Sequence, residues 1–271
     1  MDIAIVQTNT GIDPAVEAER LSAAIGDAAA GGAQLVFTPE MSGLLDRDRA
    51  RAAAHVRGED EDPVLAAVRA AGARHGVWVQ LGSLALQAPS GKFVNRGFLI
   101  RPDGAIAARY AKIHLFDVAL GSESWRESAA YDAGEEAVVA QTPWGGLGLT
   151  ICYDVRFPAL HRALAEAGAS MIAVPAAFTR PTGQAHWHVL LRARAIETGC
   201  WVIAAAQTGE HADGRATYGH SLVIAPWGEV VLDMGDAPGI GHARIDLDAV
   251  ATARGKVPAL QHARPFTVVS A

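Results

Sequence analysis

Short apolar runs alternate along the chain with longer stretches in which apolar residues recur every three to four positions. The runs have the length of buried strands, and the longer stretches have the spacing of helices that cover a sheet. In the first third of the chain the predicted strands are 2–7, 35–37 and 77–81, and the predicted helices are 14–30 and 63–74. Asp13 fits the N-cap of the first helix, and the pair Gly31-Gly32 fits its end.

Turn signals join later apolar runs into two β-hairpins. Residues 92–100 and 105–110 flank Arg101-Pro102-Asp103-Gly104, and residues 138–141 and 147–151 flank a Pro-Trp-Gly-Gly turn. Beyond them the predicted helices are 159–167 and 184–198, and the predicted strands are 171–175, 201–206, 221–225, 230–233 and 243–246. Strands that alternate with helices, together with hairpins, indicate an α/β protein with mixed sheets covered by helices.

Two stretches do not fit this alternation. Residues 111–135 form a long, weakly periodic segment, and a loop of that length inside a compact domain is usually functional. Residues 255–271 contain two prolines and have no regular period. Because no linker or repeat divides the chain, we expect a single domain over 1–271, with 255–271 as a C-terminal tail that packs at a subunit interface.

Composition narrows the function classes. Half of the 271 residues are hydrophobic and 19% are charged, which allows a large core and argues against disorder. A net charge of -6 without a basic cluster gives no sign of a nucleic-acid partner. Two cysteines do not make a disulfide framework, so we expect a reducing, cytoplasmic location. We expect no signal peptide, because the N-terminus starts directly with the strand-like pattern Ile3 to Val6. We expect no membrane segment, because no apolar run reaches about 18 residues.

A cysteine stands where one apolar run ends. Cys152 follows residues 147–151 and precedes a polar turn and a predicted helix. Backbone N–H groups and the helix dipole at such a junction favour a thiolate and an adjacent oxyanion. The alternative is that Cys152 is a small, buried packing residue.

Glu40 and Lys112 also stand where predicted strands end. A buried carboxylate whose pKa is raised toward neutrality could take the thiol proton, and an ammonium could stabilise the thiolate and a tetrahedral oxyanion. Glu40, Lys112 and Cys152 therefore suit acyl transfer from an amide. The alternatives are a turn carboxylate at Glu40 and a solvated hairpin end at Lys112, and spacing does not show that the three converge.

The stretches around these residues resemble the carbon–nitrogen hydrolase (nitrilase) superfamily. They are Phe37-Thr38-Pro39-Glu40, Tyr110-Ala111-Lys112-Ile113-His114-Leu115-Phe116 and Gly148-Leu149-Thr150-Ile151-Cys152-Tyr153-Asp154-Val155-Arg156-Phe157-Pro158. The resemblance implies a four-layer α-β-β-α sandwich and a homodimer or higher homo-oligomer. It implies that Cys152 is the nucleophile, Glu40 the general base and Lys112 the oxyanion-stabilising cation. Glu127 matches the family's second glutamate, and the Tyr153 N–H would complete the oxyanion site.

The implied reaction splits a linear, non-peptide amide into carboxylate and ammonia through a thioester, with no metal and no organic cofactor. Later stretches resemble the Nit-type branch, and within it the amidases of deaminated glutathione more than the ω-amidases. They are residues 178–187, 190–198, 204–207 and 218–221. N-carbamoyl amino acid amidohydrolases remain an alternative, and so does a non-catalytic binding member, against which the intact Glu40, Lys112 and Cys152 argue.

A substrate that carries a carboxylate needs a cation or several donors in its pocket. The candidates are Arg156, Phe178, Thr179 and Arg180. The alternatives are an ion pair of Arg156 with Asp154 or Glu197, and a solvated loop arginine at Arg180. His186 and His188 are not expected to share a metal ion, because positions i and i+2 of a helix point to different faces.

Overall fold

Two large β-sheets form the centre of the protein. The computed structural model describes residues 1–120 and 123–270. The first sheet contains β1 (Asp2–Gln7), β2 (Leu35–Phe37), β3 (Trp78–Gln87), β4 (Phe93–Ile100), β5 (Ile106–Ala111), β8 (Tyr131–Asp132) and β17 (Gly239–Arg244). Its order is β17-β1-β2-β3-β4-β5, with β8 beside β4. β1, β2 and β3 run parallel, and β17 lies antiparallel to β1.

The second sheet has the order β16-β15-β12-β11-β10-β9. Its strands are β9 (Val138–Thr142), β10 (Gly145–Leu149), β11 (Ala169–Ala173), β12 (Trp201–Ala204), β15 (Leu222–Ile224) and β16 (Val230–Asp233). Two small pairs lie outside these sheets: β6 (Asp117–Leu120) with β7 (Glu123–Arg126), and β13 (Thr208–Glu210) with β14 (Ala216–Tyr218).

Helices cover the outer faces of both sheets. The α-helices that the structure describes are α1 (Pro14–Ala30), α2 (Arg49–Ala53), α3 (Pro63–His75), α4 (Pro158–Glu166), α5 (Arg180–Thr198) and α6 (Asp248–Lys256), and short 3-10 helices lie at Glu59–Glu61, Glu127–Ala129 and Cys152–Arg156. α1 and α3 pack on each other over the first sheet, and α4 and α5 pack against β11 and β12 of the second. None of the helices that the structure describes is both long and apolar enough to span a bilayer.

Side chains that point alternately to the two faces of each strand explain how the sheets and helices form layers. In β1, Ile3 and Ile5 belong to the core between the sheets, whereas Ala4 and Val6 belong to the core under α1 and α3. Successive side chains of a strand point to opposite faces, so a fully apolar strand can fill both cores. The result is the α-β-β-α sandwich that the family resemblance implies.

The structure confirms most predicted elements and extends several. α1 has the predicted bounds, and the Asp13 side chain accepts a hydrogen bond from Ala15 N. β3 continues to Gln87, six residues beyond the prediction, because it pairs along its length with β4. α5 begins at Arg180 rather than at 184, with Pro181 in its first turn. The sequence analysis did not predict α6, which takes residues 255 and 256 out of the expected tail.

The long segment 111–135 is only partly irregular. It contains β6, β7, the 3-10 turn at Glu127–Ala129 and β8, and so it returns to the edge of the first sheet. Residues 121 and 122 of this segment, and residue 271 of the tail, lie outside the described residues.

Candidate active site

The Glu40 carboxylate lies buried at the end of the segment that follows β2. Its Oε1 accepts hydrogen bonds from Asn95 Nδ2 at 2.9 Å and from Lys112 Nζ at 3.0 Å. Its Oε2 accepts a hydrogen bond from the Ala177 backbone N–H at 2.9 Å. Donors from three separate segments therefore hold this carboxylate in one orientation.

Lys112, directly after β5, lies between two carboxylates. Its ammonium is 3.0 Å from Glu40 Oε1 and 2.9 and 3.1 Å from the two oxygens of Glu127. Glu127 is itself held, because its Oε2 accepts a hydrogen bond from Phe116 N at 2.6 Å. These three contacts match the three N–H donors of the ammonium, so a bound oxygen atom has to share a donor with one of the carboxylate oxygens.

Cys152 sits three residues beyond β10, at the start of a 3-10 turn. Its φ of 50° lies in the left-handed region, which costs free energy for a residue with a side chain. The Cys152 N–H donates to Pro175 O at 2.8 Å, and its thiol lies close enough to the Glu40 carboxylate for each to influence the pKa of the other. The first N–H groups of such a turn have no partner within the turn, and the N–H of the neighbouring Tyr153 is one of them. Glu40, Lys112, Glu127 and Cys152 thus converge in one buried site.

A buried aspartate connects the cysteine turn to the lysine strand. Asp154 Oδ2 accepts hydrogen bonds from Tyr110 OH at 2.7 Å and from Ile151 N at 2.8 Å. Its Oδ1 accepts one from His114 N at 3.1 Å and lies 2.7 Å from His114 Nδ1. The Asp154 carboxylate therefore links Tyr110 and His114, which flank Lys112 in the chain, to the turn that contains Cys152.

Charge coupling sets the protonation states. Burial alone would raise the pKa of Glu40, but the Lys112 ammonium and the hydrogen bonds from Cys152 and Ala177 outweigh it and lower that pKa. The expectation of a Glu40 pKa raised toward neutrality is therefore wrong. Burial and the nearby Glu40 carboxylate raise the pKa of the Cys152 thiol well above its ordinary value. Burial opposes the charge of Lys112, but Glu127 and Glu40 raise its pKa.

At neutral pH the site consequently holds a carboxylate at Glu40, an ammonium at Lys112 and a protonated thiol at Cys152. This arrangement can transfer a proton from sulfur to carboxylate as a bond forms to sulfur, beside a cation that can hold a developing oxyanion.

A model of the family described as carbon-nitrogen hydrolase matches residues 2–255. This chain belongs to the carbon–nitrogen hydrolase family. It is 42% identical over 238 residues to a Yersinia enterocolitica protein named deaminated glutathione amidase, an alignment that covers 86% of this chain and 82% of the relative.

Solved structures place this hydrolase among Nit proteins. It matches the C. elegans NitFhit protein with a TM-score of 0.90 and 38% identity, over 97% of this chain and 65% of that one. It matches Saccharomyces cerevisiae Nit3, described as a member of branch 10 of the nitrilase superfamily, with a TM-score of 0.86 and 27% identity, over 95% of this chain and 94% of that one.

Arg156 of this hydrolase follows Cys152 by four residues in the chain and has no carboxylate partner among the described residues. Its guanidinium is 5.9 Å from the Tyr153 ring centroid and 5.3 Å from that of Phe178, and it donates to His186 Nδ1 at 3.3 Å. The alternative of an ion pair with Asp154 or Glu197 is wrong. Asp154 is bonded as described above, and Glu197 pairs with Arg194 at 2.5 Å.

The other three pocket candidates are placed differently. Phe178 is buried, and its ring packs against Trp187 with centroids 4.8 Å apart. The Thr179 hydroxyl lies 2.8 Å from the Thr182 hydroxyl. Arg180 is half-exposed and lies 3.7 Å from a Glu210 carboxylate oxygen. The structure therefore brings Phe178 to Arg156 and directs Arg180 to another partner.

Sequence analysis missed the groups that hold Glu40 and Cys152. Asn95 lies in the predicted hairpin strand 92–100, and an amide in a buried strand must find a hydrogen-bonding partner, which is itself a signal. Asp154 was considered only as a partner for Arg156. The Ala177 N–H carries no side-chain signal, because a backbone donor is placed by the fold alone.

Proposed function

We propose that this carbon–nitrogen hydrolase is a cysteine-dependent amidase whose substrate is deaminated glutathione or a similar amide of an α-keto acid. The choice of this substrate class rests on Arg156. This cation lies four residues after Cys152 and lacks an acidic partner among the described side chains. A substrate carboxylate would supply that partner. The name of the Yersinia relative supports the same choice.

The proposed reaction begins with proton transfer from sulfur. As the Cys152 thiol attacks the amide carbonyl, its proton passes to the neighbouring Glu40 carboxylate. The negative charge that Glu40 loses reappears on the carbonyl oxygen, which accepts hydrogen bonds from the Tyr153 N–H and from a Lys112 N–H that it shares with a glutamate oxygen. The net charge of the buried site is unchanged, so no charge has to enter from solvent.

Collapse of the tetrahedral intermediate completes the first half. Glu40 returns its proton to the leaving nitrogen, the C–N bond breaks and a thioester remains on Cys152. Glu40 then takes a proton from water as the water attacks the thioester. The C–S bond breaks, the acid is released and Glu40 returns the proton to the Cys152 sulfur. Glu127 keeps Lys112 charged and oriented throughout, since both of its oxygens contact Nζ.

A substrate panel tests the proposed function. Wild type is assayed on deaminated glutathione, α-ketoglutaramate and one N-carbamoyl amino acid, with Cys152→Ala as the blank. The assay follows the acid product, because an amide whose nitrogen carries a further residue releases an amine and not ammonia. We expect the highest kcat/KM on deaminated glutathione. Preference for α-ketoglutaramate or the carbamoyl compound would replace the proposed substrate, and no turnover of any amide would favour the binding-only alternative.

Substitution of Arg156 by methionine is expected to act on substrate binding. Arg156→Met keeps an unbranched apolar stem and removes the charge, so KM for a substrate with a carboxylate should rise about 10- to 100-fold. The kcat should change little, because Arg156 does not contact the proposed reacting groups. Steady-state kinetics with Arg180→Met as the matched control checks this. A KM that rises only in Arg180→Met would assign the carboxylate to Arg180 instead.

We also propose a single domain, a homodimer or higher homo-oligomer, and a cytoplasmic location. The tail after α6 supports the assembly, because Phe266, Val268 and Val269 are 82–86% exposed in one subunit. A nucleophilic thiol that must stay reduced supports the location. Sedimentation velocity of the protein with and without residues 257–271 tests the assembly, and a monomer in both cases would contradict it.

A further inference from the structure

A second group of ligating side chains lies where α5 meets β16. His188 Nε2 is 3.0 Å from Asp233 Oδ2, and His220 Nδ1 is 2.8 Å from Asp233 Oδ1. One nitrogen of each histidine and one carboxylate oxygen lie within 4.8 Å of one another. The proposed amide reaction uses none of these three residues.

The sequence did not reveal this group, because its members are far apart in the chain. The helical argument that His186 and His188 cannot share an ion agrees with the structure, since His186 contacts Arg156 and His188 contacts Asp233. The partners of His188 come instead from the loop before β15 and from the end of β16. Only the fold brings these segments to the same face of α5.

His220 is held in a conformation that a side chain disfavours. Its φ is 53°, in the left-handed region. The His220 N–H donates to Gly235 O at 2.6 Å, and the His220 carbonyl accepts a hydrogen bond from Trp187 Nε1 at 2.7 Å. The Tyr218 ring stacks on the imidazole with centroids 4.5 Å apart. A strained backbone of this kind persists only where several surrounding contacts hold it in place. Such strain is concentrated at functional sites.

Asp233 is oriented as well, and the group is open to solvent. Its Oδ1 accepts a hydrogen bond from Gly235 N at 2.9 Å. The side chains of His188, His220 and Asp233 are 33%, 27% and 35% exposed, so an ion could enter and water could complete its coordination. Two imidazole nitrogens and a carboxylate oxygen are a ligand set that suits zinc and neighbouring divalent metals better than magnesium or calcium.

We propose that His188, His220 and Asp233 form a binding site for a divalent cation of the zinc class, which joins α5 to β16. Binding requires the imidazole protons to lie on His188 Nδ1 and His220 Nε2, so that the nitrogens beside Asp233 present lone pairs. The competing arrangement is a metal-free triad, in which both imidazoles donate N–H bonds to Asp233.

Cobalt and zinc titrations of tag-free protein distinguish the two arrangements. Cys152→Ser serves as the background, so that the active-site thiol does not take up metal. We expect one equivalent of Co²⁺ to produce the visible absorption of a tetrahedral site, and Zn²⁺ to displace it. Saturating Zn²⁺ should raise the melting temperature by about 5 °C, since an ion that binds only the folded state stabilises it.

His188→Gln in the same background tests the assignment. Glutamine can still donate a hydrogen bond to Asp233 but is a poor metal ligand, so the affinity for Zn²⁺ should fall at least about tenfold. His262→Gln, at an exposed histidine of the tail, should bind as the background does. Amide hydrolysis by His188→Gln with Cys152 intact checks that the variant folds. Absence of metal uptake, or equal uptake by His188→Gln, would leave the hydrogen-bonded triad as the explanation.

Discussion

Replacement of Cys152 by alanine is expected to lower kcat/KM for amide hydrolysis by at least about 10⁴-fold, because no other group at the site can form the thioester. The fold should survive, since alanine fits the buried space and the backbone bond from residue 152 to Pro175 O does not need the side chain. The measurement is steady-state turnover of the preferred amide by both proteins at equal concentration. Mass spectrometry of acid-quenched wild type should show the acyl adduct on the peptide that contains Cys152.

The second cysteine provides the matched control. Cys200 is buried at the end of α5, and its sulfur accepts a hydrogen bond from Arg254 Nη2 at 3.1 Å. Cys200→Ser keeps a polar atom at that position and should keep the activity. If Cys152→Ala hydrolysed the amide at the wild-type rate, the assignment of the nucleophile and the proposed mechanism would both fail.

Replacement of Lys112 by methionine is expected to damage both stability and activity. The substitution leaves Glu40 and Glu127 buried without their shared cation, which should lower the free energy of unfolding by about 3–5 kcal/mol near neutral pH. It also removes a proposed oxyanion donor, which should lower kcat about 10²- to 10³-fold. Urea unfolding and steady-state kinetics measure the two effects separately. Lys92→Met is the control, because Lys92 is 46% exposed and lies 3.9 Å from Asp132, a pair worth at most about 1 kcal/mol.

The stability loss in Lys112→Met should depend on pH. In wild type the lowered pKa of Glu40 contributes stability that is present above the carboxyl's unfolded pKa and is lost as pH falls through the folded value. Without Lys112, burial is the dominant influence and raises the carboxyl pKa, so the variant loses stability as pH rises. The difference between the two proteins should therefore be larger at about pH 8 than at about pH 5. A constant difference would mean that the loss comes from packing and not from charge.

The sequence alone determined the elements whose signals are local. The bounds of α1 followed from an N-cap aspartate, a helical apolar spacing and a terminal glycine, all of which act within a few residues. The motifs around Glu40, Lys112 and Cys152 likewise indicated the family, which the family model confirms, from short stretches. Where the signals were weak or irregular, as in α6, sequence reasoning predicted no element.

Only the tertiary structure decided what depends on distance through space. Asn95, Lys112 and Ala177 reach Glu40 from separate segments, and the Lys112 contact reverses the direction in which burial alone would move its pKa. The same holds for Arg156, whose partners turned out to be aromatic rings and His186, and for the group at Asp233. Coulomb and hydrogen-bond energies fall steeply over a few ångströms, and the chain order does not contain those distances until the two sheets have packed.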